Sequence, residues 1–61
     1  MKTVDLIIKN FSKSSWFNRV ENGYNKREFI IYVNRYPFND EFKIHSFAKD
    51  NKIKISIIVL G

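Results

Sequence analysis

Residues 41–49 read Glu41-Phe42-Lys43-Ile44-His45-Ser46-Phe47-Ala48-Lys49. Phe42, Ile44 and Ala48 alternate with Lys43, His45 and Lys49, which is the period of a half-buried strand. The preceding stretch, Arg27 to Tyr36, alternates in the same way through Phe29, Ile31 and Val33. Between them lies Pro37-Phe38-Asn39-Asp40. Proline presets φ for a turn and Asn and Asp accept turn geometry, so the two stretches are expected to form a hairpin. Asp50-Asn51 supplies a second tight turn into Lys52 to Leu60, and the three segments together read as an antiparallel meander.

Working outward, Thr3 to Lys9 alternates through Val4, Leu6 and Ile8 and reads as a further strand. Ser14 to Gly23 reads as one short helix. Serine can accept from an orphan backbone N–H at its start, Gly23 can take a left-handed conformation at its end, and Trp16 and Val20 stand at i,i+4 with Phe17 beside them. The competing reading of this segment is a structured loop plugged by Trp16. The expected fold is α+β and mainly β: a four-stranded, largely antiparallel sheet in the order β-α-β-β-β, with one short helix packed on one face. With 61 residues and no repeat, linker or low-complexity tract, residues 1–61 are expected to form one small domain.

Alternation divides the strand residues into two sets. The expected core is Val4, Leu6 and Ile8, then Phe29, Ile31 and Val33, then Phe42, Ile44 and Ala48, and finally Ile53, Ile55, Ile57 and Val59. The opposite set should face water, yet it carries Ile7, Ile30, Tyr32, Phe47, Ile58 and Leu60. A contiguous apolar patch with nothing left in the chain to bury it marks an interaction surface, unless strong twist curls the sheet into a small barrel. Ile53 to Leu60 is also β-prone with a single charge, so it is expected either in the middle of the sheet beside Val4 to Ile8 or paired across a dimer.

Composition narrows the function classes. No cysteine is present, so neither disulfides nor a cysteine zinc site can substitute for core. His45 is the only histidine, which leaves no paired-histidine metal site and at most one imidazole base. Asp40-Glu41, the only adjacent carboxylate pair, sits in a turn; Ser12, Ser14 and Ser15 lack a nearby base; two glycines cannot build a phosphate-cradling loop. The chain reads as non-catalytic, with no cofactor and no metal site. Met1 to Lys9 lacks the apolar segment of a signal peptide and no run approaches bilayer length, so the expected location is the cytoplasm, without a membrane partner.

The net charge is +5. Lysine (8), asparagine (7) and isoleucine (9) make up 24 of 61 residues, and all three have AT-rich codons, so part of that charge reflects a genome of low GC content. A short basic chain of this composition suits a phage or mobile-element protein that inhibits or modulates a host protein. In this reading Ile30, Tyr32, Tyr36, Phe47, Ile58 and Leu60 form the apolar and aromatic centre. Lys9, Lys43, Lys49, Lys52 and Lys54 form a basic rim that favours an acidic partner. The partner is a host protein or a second copy of the chain. The alternative is single-stranded DNA or RNA, with bases stacked on the same aromatics and lysines following the backbone.

Overall fold

The computed structural model describes residues 2–61. The elements run α1 (Thr3–Phe11), β1 (Phe17–Asn22), β2 (Glu28–Val33), a 3-10 turn (Phe38–Asp40), α2 (Glu41–Asp50) and β3 (Lys54–Val59). The sheet order is β1-β2-β3, with β1 antiparallel and β3 parallel to β2. The architecture is therefore α-β-β-α-β with a three-stranded mixed sheet. It replaces the four-stranded antiparallel sheet with one helix that alternation suggested.

The central strand follows its sequence pattern. Phe29, Ile31 and Val33 are buried while Glu28, Ile30 and Tyr32 are half-buried on the other face. Ile7 and Phe11 of α1 and Ile44 of α2 belong to the same core cluster as Phe29, Ile31 and Val33. Because the three β2 residues share one face, both helices must lie on that face, and the molecule is two layers thick.

Three segments depart from the expectation, each for an identifiable reason. Thr3 to Lys9 is helical, because Val4, Ile7 and Phe11 are spaced i, i+3 and i+7 and form one helical stripe. Ile7 is fully buried, whereas Ile8, expected in the core, is 40% exposed. Asp5 in the first turn and Lys9 in the last complement the helix dipole. Ser14 to Gly23 is not a helix: its first residues turn, with Phe17 N–H donating to Ser14 O (3.1 Å), and the rest is β1. Trp16 is the buried plug of the competing reading. A register irregularity between Phe17 and Arg19 lets Phe17 and Val20, three residues apart, both pack on the core.

Glu41 to Lys49 is the decisive correction. It forms α2, with Ile44 and Ala48 buried one helical turn apart. Positions four apart share a face in a strand and in a helix alike, so those two residues fit both periods. Phe42 does not: two residues from Ile44 it lies about 200° round the helix, and it is 80% exposed. Pro37 to Asp40 leads into this helix through the 3-10 turn and makes no hairpin. Since α2 intervenes, the chain returns to the same end of the sheet and β3 pairs parallel to β2. It does so at the sheet edge and not in its middle, there being no strand at Val4 to Ile8 for it to join.

The turn from α2 to β3 is held by Arg27, whose Nη2 donates to Asn51 O (2.6 Å) and Nε to Lys52 O (3.2 Å). Lys52 there has φ +55°. No helix among the described residues is long and apolar enough to cross a membrane.

Candidate functional site

Both helices cover one face of the sheet, and the other face is left open. The register sets its side chains in three rows. Arg19, Tyr32 and Ile58 form one, Glu21, Ile30 and Ser56 the next, and Glu28 stands beside Lys54. Leu60 continues past Ile58, its N–H donating to Val33 O (2.8 Å). Ile58 is 41% exposed, and Ile30, Tyr32 and Leu60 are half-buried. The register thus brings Ile30, Tyr32, Ile58, Leu60 and Lys54 together on the open face.

The other residues assigned to this surface lie elsewhere, because their segments are not strands. Phe47 is on α2 and meets Phe11 edge-on, with ring centroids 5.4 Å apart, inside the helix layer. Tyr36 follows β2 and stacks obliquely on Phe38 at 4.6 Å. Lys9 is on α1, Lys43 and Lys49 are on α2, and Lys52 is in the turn before β3. The expected basic rim is thus dispersed over the helix layer, and Lys54 is its sole member on the open face. His45 also goes to α2, exposed, and not to a strand.

Arg19 is the residue that sequence reading missed. Its guanidinium lies 4.0 Å from the Tyr32 ring centroid, and Nε donates to Glu21 Oε2 at 2.9 Å. That hydrogen bond raises the Arg19 pKa above its ordinary value, against an opposing effect of desolvation. The ring stack is a cation–π contact that holds an otherwise mobile side chain flat on the sheet. Had Phe17 to Asn22 been read as a strand, alternation would have placed Arg19 and Glu21 on one side together.

At the β1 end of this face a shallow recess of about 240 Å³ is lined by Asn22, Gly23, Tyr24 and Ile30. Tyr24 is fully exposed beside it. Gly23 lets the chain pass close to β2: a Cβ there would stand 2.9 Å from Glu28 Cβ. The four charged residues placed on the face by the register are Arg19 and Lys54 against Glu21 and Glu28, and their charges cancel.

On the helix side, a hollow of about 440 Å³ runs along Ser14 to Trp16 and Arg35 to Asp40. Several of its polar groups are already engaged: Trp16 Nε1 donates to Asp40 Oδ2 (2.7 Å), Arg35 Nη2 donates to Ser15 Oγ (2.5 Å), and Tyr36 Oη donates to Glu41 beside the hollow. Among the described residues no group of three His, Cys, Asp or Glu side chains is placed to hold a metal ion. Comparison of the chain with protein-family models, with curated proteins and with solved structures gives no match.

Proposed function

We propose that this chain is a non-catalytic binding module whose partner is a protein seated on the open face of the sheet. The observation that supports this most is the uncovered strip Ile30, Tyr32, Ile58 and Leu60, on the face opposite both helices. Tyr32, held flat under Arg19, and Tyr24, overlooking its recess, are the aromatic anchors. A rim of balanced charges suits a polar protein surface around an apolar centre. The net charge of +5 adds long-range steering toward an acidic partner at low salt. A phage or mobile-element modulator of a host protein is the setting that the composition suits.

Single-stranded nucleic acid is the weaker reading. A stacking platform needs free ring faces and excess positive charge. Here Tyr32, the one aromatic ring that β2 presents on the open face, is occupied by Arg19, and the charges of the face sum to zero.

The test is a photo-reactive phenylalanine at Tyr24, with Phe42 on the helix layer as the control position, in lysate of the source cells with and without nuclease treatment. A discrete protein adduct is expected from position 24 alone, and Ile58→Asp should abolish it. Equal adducts from both positions, or adducts only with nucleic acid, would refute the reading.

A further inference from the structure

The two edges of the sheet are built differently. The β1 edge carries Asn18, Arg19, Glu21 and Asn22 and is broken by a register irregularity. Charge and bulging are the devices that stop an edge from recruiting another strand. The β3 edge, Lys54-Ile55-Ser56-Ile57-Ile58-Val59, has no bulge and a single charge at its start. Its one charge, Lys54, stands beside Glu28 in the register.

The hydrogen-bond phase shows what this edge offers. Lys54 N–H donates to Arg27 O and Leu60 N–H to Val33 O, each at 2.8 Å. In a parallel ladder, alternate residues of a strand bond to the same neighbour. Even-numbered β3 residues therefore point their amides inward, and Ile55, Ile57 and Val59 point theirs out of the sheet. Among the described residues no hydrogen bond reaches those three amides. Val59 is 48% exposed and Ile58 41% on the opposite face, so this strand is bare on both sides of its edge.

We infer that β3 pairs antiparallel with β3 of a second copy of this chain, about a two-fold axis at Ile57. In that register Ile57 faces Ile57, and Ile55 faces Val59 of the second copy, each pair exchanging both N–H···O bonds. Ser56 faces Ile58 on the open side, and Lys54 faces Leu60. No like charges meet, so the strand is complementary to itself, as an isologous interface requires. A two-fold axis normal to the sheet keeps both helix layers on one side. The two open faces then join into one continuous surface, with Ile58 of each copy flanked by Ser56 of the other. This pairing stands on the β3 edge alone and does not depend on what occupies the open face.

The test is amide hydrogen exchange on the full chain at two concentrations, with mass measured by sedimentation at each. The mass should double at the higher concentration. Exchange at Ile55, Ile57 and Val59 should slow by more than about tenfold on dimerisation, while the inward amides of Ser56 and Ile58 are protected at both concentrations. Val59→Pro removes an outward donor without touching the β2–β3 ladder and should leave a folded monomer. A monomer at every concentration, or a dimer in which the three outward amides still exchange fast, overturns the inference. The wild-type exchange pattern decides the matter even where the proline variant does not fold.

Discussion

Trp16 donates its indole N–H to the Asp40 carboxylate at 2.7 Å, across 24 residues of chain. The bond joins the turn before β1 to the start of α2, two segments that no strand pairing connects. Asp40 precedes α2 but makes no side-chain cap to it; its carboxylate is spent on Trp16. Trp16 is 4% exposed, so its N–H would have no ready replacement partner. Asp40→Ala should cost about 1–2 kcal/mol, read from urea unfolding followed by far-UV circular dichroism. In a double-mutant cycle with Trp16→Phe, the coupling should be about 1 kcal/mol. Additive single effects would mean that the bond does not form in solution. In the Asp40–Lys43 pair the charges stand 4.0 Å apart with the lysine exposed, and the pair should contribute little.

Phe42 and Ile44 separate the helical from the strand reading of residues 41–50. Ile44 is fully buried and Phe42 80% exposed. Ile44→Ala should cost about 2–5 kcal/mol, enough to unfold most of so small a domain. Phe42→Ala should fall within about 0.5 kcal/mol of wild type. Thermal unfolding by circular dichroism distinguishes them, and comparable losses at both positions would restore the strand.

Why one pattern was legible and the other was not comes down to spacing. In β2 the pair Phe29 and Ile31 stands two apart, a separation that only a strand puts on one face. Ile44 and Ala48 stand four apart, as do Val4 and Ile8, and that separation is common to both periods. The discriminating residues were Ile7 and Phe11, which break the alternation of α1, and Phe47, which breaks that of α2. In β1 the converse happened: Trp16 and Val20 mimic a helical turn, and Asn18, Arg19 and Asn22 are indifferent strand formers held in place by β2. The site inherited the same division. Ile30, Tyr32, Ile58 and Lys54 could be placed because β2 and β3 were read in the right phase. Phe47, Lys43 and Lys49 reached that face only through a strand that does not exist.

Gly23 is required by close approach and not by an unusual φ. Its N–H donates to Glu28 O at 2.8 Å, and an added Cβ would stand 2.9 Å from Glu28 Cβ and 3.1 Å from Glu28 backbone atoms. Those atoms belong to the central strand and cannot move without dragging the ladder. Gly23→Ala should therefore destabilise by about 1–3 kcal/mol, measured by urea unfolding, despite the entropy gain that alanine ordinarily brings. A neutral or stabilising effect would show that the β1–β2 connection is looser than the structure has it.

Tyr36 gives the fold a dependence on alkaline pH. Its hydroxyl donates to the Glu41 carboxylate, and that bond, with burial and the charge of Glu41 adding to it, raises the phenol pKa above its ordinary value. In the unfolded chain the phenol ionises near 10. Between that value and the raised folded one, the native state holds a proton that the unfolded state has lost, so stability falls as pH rises through this window. The contribution is complete below about pH 10 and is lost once the folded phenol has ionised. Glu41→Gln removes the anion and should lower the Tyr36 midpoint, seen as a difference in tyrosinate absorbance between variant and wild type. Over the same window the urea midpoint of wild type should fall more steeply with pH than that of Tyr36→Phe, which has no phenol to ionise. Superimposable absorbance titrations of wild type and Glu41→Gln would show that the Tyr36–Glu41 bond is not formed.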